Sequence, residues 1–100
     1  MIKTGIELIA EERQRQIEVE KFSPEHDDRW GKGQLAMAAI CYAEPGNHYP
    51  EVKPFGFPWD VEWWKPDPKN PIRDLIKAGA LIAAEIDRLI RVENLNPTTV

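Results

Sequence analysis

Four carboxylates from well-separated stretches, Glu12, Asp27, Asp28 and Glu85, are the groups in this sequence best suited to chemistry. Brought to one spot they could surround a hard cation: Mg²⁺ prefers oxygen ligands and usually keeps waters that a phosphate substrate can replace. The competing reading is that they are solvated charges or helix caps. His26 stands beside Asp27. A histidine titrates near neutrality and could serve as a base or a ligand, or simply hydrogen-bond the neighbouring carboxylate. Arg13, Gln16 and Lys77 could contact phosphate, although surface ion pairing is the ordinary fate of cationic residues on helices. Trp63, with Trp59 and Trp64, could stack on a nucleobase or fill the space between a loop and a helical bundle. The candidate set is therefore Glu12, Glu85 and His26 for catalysis, Glu12, Asp27, Asp28 and Glu85 for Mg²⁺, and Arg13, Gln16, Lys77 and Trp63 for substrate. Ser23 reads as a helix cap, and Cys41 lies in an apolar segment where a thiol is usually inert.

Three main helices must position these groups. The first is expected over about 5–20. Thr4 followed three residues later by Glu7 has the form of a capping box. Ile6, Ile9, Ala10 and Ile17 make its larger apolar face and Leu8 and Val19 a smaller one; Arg13, Gln16 and Glu20 fall inside the larger face, and Glu12 lies between the two. A polar residue on a buried face needs a partner or a function. Ser23-Pro24-Glu25 predicts the cap and first turn of a short helix near 24–29. The second main helix, about 33–43, is apolar nearly all round, which places it in the middle of a bundle. The third, about 71–92, starts on Pro71 and gathers Leu75, Ile76, Gly79, Ile82, Ala83, Ile86, Leu89 and Ile90 on one face. Such a stripe must be covered by something.

Between the second and third helices, Pro45, Pro50, Pro54, Pro58, Pro66 and Pro68 forbid a long helix. Tyr49, Phe55, Phe57, Trp59, Trp63 and Trp64 are too apolar for a free linker. An ordered loop lying on the helices is the expected outcome, with one short turn starting at Asp60, and long ordered loops in small domains are often functional. Residues 94–100 are expected to fray.

The 100 residues make one all-α domain with a modest core. A net charge of −4 argues against a nucleic-acid polymer or an anionic membrane surface as partner. A single cysteine fits a reducing cytoplasm. No apolar run is long enough for a membrane span, and the N-terminal residues lack the apolar core of a signal peptide.

The runs Glu12-Arg13-Gln14-Arg15-Gln16, Glu25-His26-Asp27-Asp28, Trp63-Trp64-Lys65-Pro66 and Lys77-Ala78-Gly79-Ala80-Leu81-Ile82 resemble those of small helical proteins carried by phages and prophages. A carboxylate-rich helical bundle also resembles the MazG-like all-α nucleoside triphosphate pyrophosphohydrolases. That enzyme group binds Mg²⁺ through Glu-x-x-Glu and Glu-x-x-Asp pairs, where this chain has Glu7-x-x-x-Glu11-Glu12 and Glu85-x-Asp87. The resemblance implies release of pyrophosphate from an NTP or dNTP, assembly as a homo-oligomer (dimer or tetramer), and a cytoplasmic site, the host cytoplasm if the chain is phage-encoded. The alternative from a different class is a non-catalytic phage or prophage accessory protein that binds a host protein or a small nucleotide through its aromatic loop.

Overall fold

A computed structural model describes residues 2–46 and 48–93. Among these the chain is all-α: α1 (Gly5–Glu18), α2 (Pro24–Asp27), α3 (Gln34–Ala43) and α4 (Pro71–Glu93), with one 3-10 turn (Val61–Trp63) and no strand. The expected frayed tail, 94–100, lies outside the described residues.

The caps act as the sequence predicts. The Thr4 hydroxyl accepts from the Glu7 amide while the Glu7 carboxylate accepts from the Thr4 amide, so two otherwise orphaned donors are satisfied. These bonds hold the Glu7 carboxyl below its ordinary pKa. Ser23 caps α2 by accepting from His26, with Pro24 at the first helical position. Before α4, the Asn70 side chain accepts from the Arg73 amide. α1 stops at Glu18, two residues sooner than expected, because Lys21 takes a left-handed φ of 65° and the chain turns there. α2 likewise ends at Asp27 rather than near residue 29.

The helix at the centre is α4, not α3: α1, α2 and α3 all contact it. The small residues of α3 let it lie close to α4, and Leu35, Ala38, Ala39 and Tyr42 meet Ala78, Leu81 and Ala84 in the core. Met37 and Ile40 on the far side of α3 stay exposed. The loop closes this core with Phe57 and Trp64, set edge-on and tilted against Tyr42, and Trp30 and Trp59 pack alongside. The Trp64 indole donates to the Tyr49 carbonyl. The expected short turn follows Asp60.

Which side of α4 is buried differs from the sequence reading. The buried positions are Asp74, Ala78, Ala80, Leu81, Ala84 and Arg88, while Leu75, Ile82, Ile86 and Leu89 of the apolar stripe remain exposed. The physical reason is closeness of approach: α3 selects the small-residue side, where backbones can come near. α1 crosses α4 at Gly79, where an added Cβ would meet Ile9 Cδ1 at 2.5 Å and Cγ1 at 2.8 Å. Alanine is ordinarily better than glycine inside a helix by about 1 kcal/mol. Here overlap should reverse the sign, so Gly79→Ala is expected to lower stability by about 1 kcal/mol in urea titrations. In an Ile9→Ala background the same change should become stabilising. A stabilising Gly79→Ala in the parent chain would show that Ile9 moves aside freely.

Candidate functional site

The inward side of α1 is polar. Glu12 and Gln16 are buried there, whereas Ile6 on the expected apolar face is largely exposed. The Glu12 carboxylate is fully engaged. Arg15 grips both oxygens, Nε to Oε1 and an Nη to Oε2, each at 2.9 Å. Arg73 from α4 donates to Oε1 at 2.7 Å, and Gln16 Nε2 donates to Oε2 at 3.3 Å. Burial on its own would raise the pKa of this carboxyl, but the bonds to Arg15 and Arg73 outweigh it and hold it below its ordinary value. The Gln16 side-chain oxygen is buried without a partner.

This cluster opens onto a small cavity of about 80 Å³, lined by Glu12, Arg15, Gln16 and Glu20 from α1 and its end, Tyr42 from α3, and Lys77 and Leu81 from α4. Phe22, Trp59, Trp63 and Lys65 complete it. Lys77 sits over the Tyr42 ring and donates to the Lys65 carbonyl at 2.5 Å. Burial, reinforced by the positive charge of Arg73, pulls the Lys77 ammonium below the usual lysine range. Burial pushes the Tyr42 phenol up to about 12, so it stays protonated, accepting from the Lys65 amide. Lys65 in turn lies over the Trp63 ring.

A second cavity, of about 450 Å³, adjoins the first and shares Glu20, Phe22, Trp59 and Trp63 with it. Lys21, His26, Arg29, Trp30 and Leu35 form its remaining walls. The pair together is lined by the cations Arg15, Lys21, Arg29, Lys65 and Lys77 against the carboxylates Glu12 and Glu20. In a chain of net charge −4 this is a local reversal of sign. The arrangement suits an anion with an aromatic portion: cations and a buried acceptor at one end, tryptophan faces and room at the other.

Of the residues singled out from sequence, Glu12, Gln16, Lys77 and Trp63 meet at the first cavity, and His26 lines the second. The others are elsewhere, each carboxylate held by its own arginine. Asp27, completely buried, takes Arg13 at 2.8 Å and His26 Nδ1 at 3.1 Å, so Arg13 ties α1 to α2 and does not face the cavity. Asp28 binds Arg91 at 2.8 Å, fastening α2 to the end of α4. Glu85 pairs with Arg88 one turn further along α4. Among the described residues, no three His, Cys, Asp or Glu side chains are grouped closely enough to hold a metal ion together. The four-carboxylate Mg²⁺ cluster expected from sequence is thus distributed over four separate ion pairs. Cys41 is buried and its thiol pKa is raised by that burial, in keeping with an inert role.

Arg15, Tyr42 and Lys65 are cavity residues that the sequence reading misses, whereas Trp59 belongs with Trp63 to the aromatic group it names. Arg15 follows Glu12 by three positions, the separation of a same-face pair, and that was the legible signal. Nothing local to Lys65 or Tyr42 announces the site, since a loop fold brings them together.

No helix among the described residues is long and apolar enough to cross a membrane. No family model matches this chain, and no curated protein or solved structure is detectably similar to it.

Proposed function

We propose that this chain binds a small nucleotide, with the phosphates at Arg15, Lys65 and Lys77 and the base in the larger cavity among Trp30, Trp59 and Trp63. The observation that carries this reading is the concentration of cations and tryptophans along two adjoining cavities of an otherwise acidic chain. Size apportions the ligand. About 80 Å³ is too small for a whole nucleotide, whereas 450 Å³ lies within the ordinary range of ligand pockets. Lys77 adds a directional argument. Its ammonium is desolvated beside another cation, and an incoming phosphate would relieve that cost. The free Gln16 oxygen suits a hydroxyl or amine donor on the ligand.

Quenching of tryptophan fluorescence by a panel of NTPs, dNTPs and their nucleosides tests this. Saturable binding is expected for phosphorylated members, weakened at least tenfold, or about 1.4 kcal/mol, in Lys77→Ala and in Arg15→Ala. Equal affinity for nucleoside and nucleotide, or no saturation with any nucleotide at millimolar concentration, would refute it.

One observation favours a second reading, that of a Mg²⁺-dependent pyrophosphohydrolase: the carboxylate at the base of the phosphate end, Glu12, is held ionised. A Mg²⁺ carried in on the nucleotide needs only one or two protein carboxylates, and Glu12 and Glu20 are the two that line this cavity. Arg15 and Arg73 would then pass from Glu12 to the phosphates. The likeness to the MazG-like enzymes makes pyrophosphate release the reaction to assay. Turnover that needs Mg²⁺ and disappears in Glu12→Gln, while nucleotide binding persists, would establish it. Binding without turnover on any nucleotide would leave the non-catalytic accessory role. Cytoplasmic residence belongs to the same proposal.

A further inference from the structure

The exposed side of α4 carries an apolar repeat of which its own fold uses only the glycine, covered by Ile9 of α1. Ile72, Leu75, Gly79, Ile82, Ile86 and Leu89 follow one another at spacings of three and four, the a/d register by which a helix seats its side chains between those of a like helix. Ile72 is 63%, Leu75 55%, Ile82 48% and Ile86 52% exposed. The flanking positions Ile76, Ala83 and Ile90 are apolar too, so no charge interrupts the stripe. Where the repeat has its glycine, Ile9 of α1 lies over α4, and exposed Ile6 extends the apolar surface onto α1. An apolar surface this continuous is unusual on a monomer.

We infer that a second copy of this chain covers this face, α4 stripe against α4 stripe about a twofold axis. Three features point to self-pairing and away from an unrelated partner. The heptad spacing is complementary to itself. The absence of charge lets two copies of a chain of net charge −4 meet without bringing like charges together. The extent is also adequate. Eighteen residues of helix run ~27 Å, and with α1 beside it the surface is ~20 Å wide, on the order of 500 Å² per copy or ~1,000 Å² in all, the lower limit for a specific interface. The cavities described above are lined on α4 by Lys77 and Leu81 and not by the stripe. Self-association and nucleotide binding can therefore fail independently.

Sedimentation equilibrium of the full chain tests the inference. The expected mass is twice 11.5 kDa, or a higher closed multiple. The double variant Ile82→Glu/Ile86→Glu should dissociate at least a hundredfold more readily, with helicity by circular dichroism retained because both positions already reach water. Ile40→Glu, on the exposed side of α3 at similar exposure, should leave the mass unchanged. If the double variant loses helicity, Leu89→Lys near the end of α4 replaces it, with at least a tenfold weakening expected. A monomeric parent chain at roughly 100 μM, or an oligomer broken by Ile40→Glu but not by the α4 variants, overturns the inference.

Discussion

Asp27→Ala is expected to destabilise the fold by about 3–5 kcal/mol, the cost of breaking a buried ion pair and leaving its partner behind. Asp27 has no exposed surface, and the Arg13 side chain facing it is only 12% exposed. The stranded guanidinium cannot recover its lost partner from water without moving. Arg13 also reaches the Phe22 carbonyl at 3.5 Å, so the whole connection between α1 and α2 depends on this contact. A domain of this size is held together by roughly 5–15 kcal/mol in total. The variant should therefore show a much lower urea midpoint, read by tryptophan fluorescence. Arg13→Ala should cost less, since the Asp27 carboxylate keeps the His26 ring, and the double variant should recover part of the sum. Additive losses from the two single changes would show that the pair contributes nothing as a pair.

Glu12 is the second residue on which the fold rests, and here pH supplies the test. Glu12→Gln keeps the shape and removes the charge that Arg15 and Arg73 share. Those arginines are 40% and 32% exposed and can rehydrate, so the expected loss near neutral pH is smaller, about 2 kcal/mol. The Glu12 carboxyl is held below its ordinary value in the folded chain. Its contribution is therefore complete above the ordinary carboxylate pKa and is lost as the pH falls through the lowered one. The stability gap between the parent chain and Glu12→Gln should be constant from about pH 6 to 8 and close below about pH 4. A gap that widens on acidification would mean that this carboxyl is protonated more readily folded than unfolded, contrary to the arrangement described.

Both residues illustrate how a carboxylate's role is settled by what faces it. Asp27 and Asp28 are adjacent, yet one is buried against Arg13 and the other is a surface tie to Arg91. From spacing alone they form one acidic turn that a single cation could bridge. The tertiary arrangement gives each of the four candidate carboxylates a different arginine.

Much was nonetheless legible in the chain. The capping box at Thr4 and Glu7, Ser23 before Pro24, Pro71 at the start of the last helix and the proline-rich segment before it delimit the elements, because each depends on contacts within a few residues. The turn after Asp60 follows in the same way, and the burial of Cys41 agrees with the apolar segment around it. The odd placement of Glu12 and Gln16 near an apolar face pointed correctly to polar groups turned inward. What the tertiary structure decided was which side of each helix faces the others. Hydrophobic periodicity identifies a stripe to be covered but not its cover. Close approach between α3 and α4 favours small side chains over large ones, so Ala78 and Ala84 went inward while Ile82 and Ile86 stayed out. The cavity depended likewise on a loop that carries Trp59, Trp63 and Lys65 to residues far from them in the chain, a juxtaposition no local pattern encodes.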